Sequence, residues 1–145
     1  MDKANFLSRF FALVLDSIAM AFVSWLIILV WTLFAASAAQ TDSGFLDVLQ
    51  GVVGVAACLT ILLLQFLYCG YFWSKNGQSL GMKLLNIKVV MRGGESISFA
   101  RGGLRGSLGY WISGFFFSLG FIWAAFDADG EAWHDKLFDT RVVQA

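Results

Sequence analysis

The sequence predicts an all-α membrane protein: two full transmembrane helices, then a glycine-broken third segment, with a small strand pair on the cytoplasmic side. Three observations predict it. The chain of 145 residues is 59% hydrophobic and only 14% charged, with a mean hydropathy of +0.73, too apolar for a water-soluble domain. Two runs, Ser17 to Thr41 and Val48 to Ser74, carry no charge, and each can cross about 30 Å of hydrocarbon at roughly 1.5 Å per residue. The bases gather elsewhere: Lys75, Lys83, Lys88, Arg92, Arg101 and Arg105 face the single acid Glu95 across residues 75–105, the mark of a cytoplasmic loop.

The first helix is expected over about 6–39. Arg9 and Asp16 are seven residues apart, nearly two helical turns, so they share a face with about 10 Å of axial rise between them. With Arg9 at the membrane surface, Asp16 lies inside the bilayer boundary. A carboxylate there costs about 2.5–3.5 kcal/mol on insertion scales, so it needs a partner or a water-filled pocket. The following loop, Gln40 to Gly44, is polar and base-free, which places it outside, while Lys3 and Arg9 keep the amino terminus cytoplasmic. The first apolar run is too long for the core of a cleavable signal peptide.

The second helix is expected over about 48–74. Gly51 and Gly54 give its start a small face for helix packing. Tyr68, Tyr71, Phe72 and Trp73 crowd its end and read as an interfacial aromatic belt. Cys58 and Cys69 lie in the same apolar run and read as small apolar fillers rather than a disulfide.

The basic loop spans 75–98. Ser79 is placed to cap a short surface helix. Leu85, Ile87, Val89 and Met91 alternate with Asn86, Lys88, Val90 and Arg92, the period of a strand, and Gly93-Gly94 ends it. Ser98 is placed to cap a helix from Phe99. Residues 99–126 form the broken segment. The chain lacks proline, so glycines must supply the breaks. One reading is a third plain span, with the 127–145 tail outside. The other is a re-entrant hairpin of about 99–112 and 117–126, broken near Gly114, which returns the tail to the cytoplasm; such a break needs protein or water around its free backbone groups. Thr140 to Val143 is β-prone, and the strand at 85–91 is its obvious partner, which favours the hairpin.

At this point the residues resemble the RDD family of small bacterial membrane proteins. The resemblance rests on Arg9 and Asp16 in the first helix, the GQSLGMKLLNIKVV block at 77–90, Ser98 with Arg101 and Arg105, and LGFIWAAFD at 119–127 followed by WHDKLFDTRVV at 133–143. The one arginine and two aspartates that name the family match Arg9, Asp16 and Asp135. Phe138-Asp139 stands where members often carry a small Ala-Gly pair. The resemblance implies a bacterial inner-membrane protein and, as function, transport of an unidentified ligand.

The candidate site is therefore Arg9, Asp16 and Asp135, read either as an ion or proton site or as a structural ion-pair lock. Arg101, Arg105, His134 and Gln65 are possible supporting residues. Transport with a protonatable Asp16 would need a homo-oligomer, since one chain has too few helices to enclose a path. The alternative is a non-catalytic accessory or scaffolding subunit of a larger membrane complex. His134 lies among Asp127, Asp129, Glu131 and Asp135, yet these lack a calcium-loop spacing, and no metal or other cofactor is expected. No nucleophile–base pairing or phosphate loop is evident, so no enzyme is expected. Aromatics do not interleave with the bases, so the bilayer rather than nucleic acid is the expected partner.

Overall fold

The computed structural model describes residues 2–38, 43–115 and 118–145. Two long helices dominate, α1 (Phe6–Ala38) and α2 (Ser43–Asn76). Gln40 to Asp42 of the expected outer loop, and Ala39 at the expected end of the first helix, lie outside the described residues. By length and composition two helices can cross a membrane. The 33 residues of α1 extend about 50 Å, well beyond about 30 Å of hydrocarbon, so its amino-terminal end reaches past an apolar slab. None of its most apolar 18-residue window is buried by the rest of the chain. Its large side chains, Phe22, Trp25, Val30 and Leu33 among them, point outward, as lipid-facing residues do.

The remaining elements are short and gather at one end of the helix pair. In order they are α3 (Leu80–Leu84), β1 (Ile87–Met91), α4 (Phe99–Leu104), a π-helical turn (Arg105–Gly109), α5 (Tyr110–Phe115), α6 (Leu119–Phe126), α7 (Trp133–Leu137) and β2 (Thr140–Gln144). β1 and β2 pair antiparallel, from Ile87 opposite Gln144 to Met91 opposite Thr140. Lys3 bridges Val143 on the other edge of β2, and Ala4 N–H donates to Val142 O at 3.1 Å. The amino terminus, the basic loop and the tail thus share one small sheet.

The buried core sits here rather than along the long helices. Ala12, Cys69, Trp73, Met82, Ile87, Val89, Ile97 and Val142 form it. Glycine permits the closest approaches. A Cβ at Gly81 would run into the Ala12 backbone, and one at Gly106 into the Cys69 side chain. Gly102 also lies on Cys69 and Trp73. The Gly102-x-x-x-Gly106 spacing is a helix-contact face, laid on the end of α2.

Several expectations shift. The strand starts at Ile87, not Leu85, because Leu85 closes α3 and Asn86 takes a left-handed φ of 53°. Helix two runs past both expected ends. Trp73 is 1% exposed; it belongs to the core and not to an interfacial belt, because α4 and the π-turn cover it. The helix capped by Ser79 is a surface helix on one side, with Leu80, Lys83 and Leu84 exposed, and packs inward through Gly81 and Met82. Ser98 occupies the cap position of α4 without a side-chain bond. The break in the third segment falls after Gly114: helix continues to Phe115, Ser118 is left-handed (φ 61°), and α6 leaves at 89° to the preceding helix.

Candidate functional site

The polar residues singled out in the sequence fall into two clusters. Arg9 and Asp16 share a face of α1, but each meets a different neighbour.

Asp16 faces the amino-terminal turn of α3. Its Oδ1 accepts from Gly81 N–H at 2.9 Å and from the Tyr68 hydroxyl at 3.0 Å, and its Oδ2 accepts from the Ser79 hydroxyl. Ser79 Oγ in turn accepts from Met82 N–H at 3.4 Å, and Tyr68 Oη from Leu80 N–H at 3.1 Å. The first three N–H groups of α3, which no helical carbonyl can reach, are all satisfied directly or at one remove by Asp16. Among the described residues no base forms an ion pair with it. The expected grouping of Asp16 with Arg9 and Asp135 is therefore not what the geometry shows. About 10 Å of rise carries Asp16 past the tail to the next packed element.

Asp135 is the centre of the second cluster. It is fully buried in α7. Arg9 donates to its Oδ2 and Arg105 to its Oδ1, and Ala132 N–H adds a bond to Oδ2 at 3.0 Å. Arg9 also donates to Gly130 O, and Arg105 Nε to Thr140 Oγ1 at 3.0 Å. Two remote elements, α1 and the π-turn, thus converge on one carboxylate of α7. Burial alone would push the Asp135 carboxyl up; the charges of Arg105 and Arg9, joined by His134 once acid protonates it, outweigh burial and hold the group well below its ordinary value.

Arg105 is 1% exposed. Its guanidinium lies 4.6 Å from the Trp73 ring centre, a cation–π contact. Its Nη1 has no hydrogen-bond partner. A cavity of about 660 Å³ opens beside it, lined by Arg9, Arg105, His134 and Tyr110 and by apolar residues of α1 and α6.

His134 Nδ1 shares a hydrogen bond of 2.9 Å with Ser113 Oγ, and its Nε2 is 3.7 Å from Asp135 Oδ1. Burial pushes the imidazole down to about 3, with Arg105 and Arg9 adding to the fall and Asp135 opposing it, so the ring is neutral at ordinary pH. A serine–histidine pair has the parts of a nucleophile and its base. Here Ser113 is 0% exposed and packed against Gly120, and the pair pins α7 to α5.

The supporting residues divide. Arg105 and His134 join Asp135. Gln65 donates to Gly106 O at 3.3 Å and ties α2 to the π-turn. Arg101 lies apart, its Nη1 3.2 Å from Met91 Sδ. Among the described residues no three metal-ligating side chains come together; Asp127 instead takes Lys136 and the N–H groups of Asp129 and Glu131 in a turn. Sequence reasoning missed Tyr68, Ser79, Ser113 and Thr140 as partners. Ser79 carried a signal, as a cap, but nothing in its neighbourhood names an aspartate 63 residues away.

The protein is 31% identical to the uncharacterized protein YxaI of Bacillus subtilis (strain 168), over 99% of both chains. No solved structure matches it. The sequence model of the RDD family matches residues 3–139. The chain belongs to the RDD family.

Proposed function

We propose that this RDD protein is a non-catalytic subunit of a larger assembly in the bacterial cell membrane, with its amino terminus cytoplasmic. One observation carries the reading. Both central carboxylates are consumed by internal contacts: Asp16 by Tyr68, Ser79 and Gly81, Asp135 by Arg9, Arg105 and Ala132. Neither is free to pick up a moving ion, so both build the fold. The third segment is a re-entrant hairpin in this reading, supported by the contact of Lys3, β1 and β2 in one sheet, which no lipid-exposed backbone could sustain. The basic loop supports the cytoplasmic side.

Transport through a homo-oligomer is the second reading. The open groove of about 850 Å³ between α1 and α2, lined by Ile28, Leu49, Val53 and Trp111 with Thr32 and Gln50, supports it, because facing grooves of several copies would enclose a path. Native mass spectrometry of the protein extracted gently from its own membrane separates the two. A complex with a different chain is expected, together with loss of the protein when that chain is absent. A symmetric homo-oligomer whose ion flux disappears in Asp16→Asn would overturn the subunit reading.

A further inference from the structure

We infer that Lys75, Lys83 and Arg101 hold the headgroups of acidic phospholipids, in the leaflet at the end where the short elements gather. The inference rests on the membrane placement of α1 and α2 and on neither functional reading above.

Charge comes first. Lys3, Arg9, Arg92, Arg105 and Lys136 all pair with acids of the tail. Those five bases meet the five acids Asp127, Asp129, Glu131, Asp135 and Asp139, so this part is neutral. Arg141 is offset by Asp2, whose segment pairs with β2. Lys75, Lys83, Lys88 and Arg101 form no ion pair among the described residues. The acids left at this end are Asp16 and Glu95; Asp42 and Asp47 belong by sequence to the start of α2, opposite Lys75. Asp16 is held by three internal donors. Even with Asp16 counted in full, four bases against two acids leave two positive charges without a counter-ion.

The surroundings of these bases choose the source of the anion. Lys75, Lys83 and Arg101 are exposed, whereas Lys88 is half-buried on β1. On α2, the exposed side chains of Val55, Leu59, Leu63, Leu67 and Tyr71 recur every four residues, and Lys75 is the next step of that stripe. Its Nζ turns back to the Tyr71 hydroxyl at 3.1 Å. Exposed Leu104, Leu108 and Ile112 make a second stripe, and Arg101, three residues before Leu104, ends it. A Cβ at Gly102 would lie 3.5 Å from Trp73 Cβ, so the two stripes end at one level. On α3, exposed Leu80 and Leu84 share a face with Lys83.

Stripes of this kind face hydrocarbon. The base that closes each one therefore emerges in the headgroup layer, its stem on apolar surface and its charge at the phosphates. The Arg101 guanidinium donates to Met91 Sδ at 3.2 Å, a weak acceptor, which leaves its fork for phosphate oxygens. A water-soluble acidic partner would meet the bases but not the apolar stripes that lead to them. A phospholipid meets both.

Nanodiscs of equal phosphatidylglycerol and phosphatidylcholine test the site, with the lipid retained on release weighed by native mass spectrometry. The wild type is expected to retain phosphatidylglycerol in preference. Lys75→Gln with Arg101→Gln is expected to lower that preference about fivefold for each base removed, and Lys83→Gln to add a third step of the same size. Lys75→Arg with Arg101→Lys keeps the charges and is expected to keep the preference. Lys3→Gln with Lys136→Gln removes as much charge from bases already paired within the chain and is expected to leave the preference unchanged. Equal retention of both lipids by the wild type, or an equal fall in Lys3→Gln with Lys136→Gln, would overturn the site. In native membranes, a photoreactive side chain at the exposed Ala100 is expected to label phospholipid; a protein adduct in its place would overturn the lipid as partner.

Discussion

At the residue scale, the two aspartates do different work and give different signatures. Asp16 is an acceptor for three donors, so Asp16→Asn places an amide N–H₂ where an acceptor is required. A loss of about 1–3 kcal/mol is expected, read as a lower unfolding midpoint in detergent; an unchanged midpoint would separate Asp16 from the docking of α3. The Asp135 cluster shows itself in acid. His134 is depressed to about 3 from an ordinary 6.5, so its contribution is complete above pH 6.5 and drains away as the pH falls toward 3. Below pH 6.5 the slope approaches about 1.4 kcal/mol per pH unit for one group. Asp135 is also depressed, from an ordinary 3.8, and its contribution is lost only below that value. His134→Gln is therefore expected to flatten the stability profile between pH 6.5 and 4 and to leave the steeper acid limb, as chemical unfolding across pH would record. That charged side chains in the first helix needed partners was legible in the sequence. Which partners was not: seven residues of helix keep Arg9 and Asp16 on one face, yet the rise between them delivers Arg9 to α7 and Asp16 to α3.

At the element scale, the joint between α2 and the π-turn governs the fold. Gly106 lies on Cys69 so closely that a methyl group has no room, and Cys69 belongs to a helix backbone that cannot yield. Gly106→Ala is expected to destabilise by about 1–3 kcal/mol and to open the buried Cys69 to thiol reagents, with Cys58, already exposed, as the internal control. A variant with native labelling kinetics would mean that the joint is looser than its geometry. The helices, the Ser79 cap, the strand at β1 and its pairing with β2 were legible, because each has a local period or a cap residue. The break in the third segment was legible near Gly114 to within a few residues, but its exact place was not. Gly114 sits in open space within α5, and Ser118, just before α6, takes a left-handed backbone. Asp139 illustrates the same point: it is left-handed at φ 54°, a conformation aspartate tolerates through its short polar side chain and one that suits the glycine of the related pattern.

At the scale of the whole molecule, the protein is two apolar helices rooted in a small polar body. That body is where the sequence-distant pieces meet: residues 2–4 on β2, β2 on β1, α7 on Arg9 and Arg105. Composition revealed the membrane and the positive loop, since both are sums over many residues. The body itself rests on a few long-range bonds and leaves no periodic trace. Its consequence is topological, because a sheet shared by the amino terminus, the basic loop and the tail requires all three on one face of the membrane.

Side-specific thiol labelling tests that requirement most directly. With Cys58 and Cys69 replaced by alanine, single cysteines are placed at the exposed positions Asp2, Glu95 and Gln144 and exposed to an impermeant maleimide in intact cells and in inverted membrane vesicles. All three are expected to react in the vesicles and none in intact cells. Labelling of position 144 from outside, with position 95 labelled only from inside, would make the third segment a plain span and contradict the shared body on which the fold and both polar clusters depend.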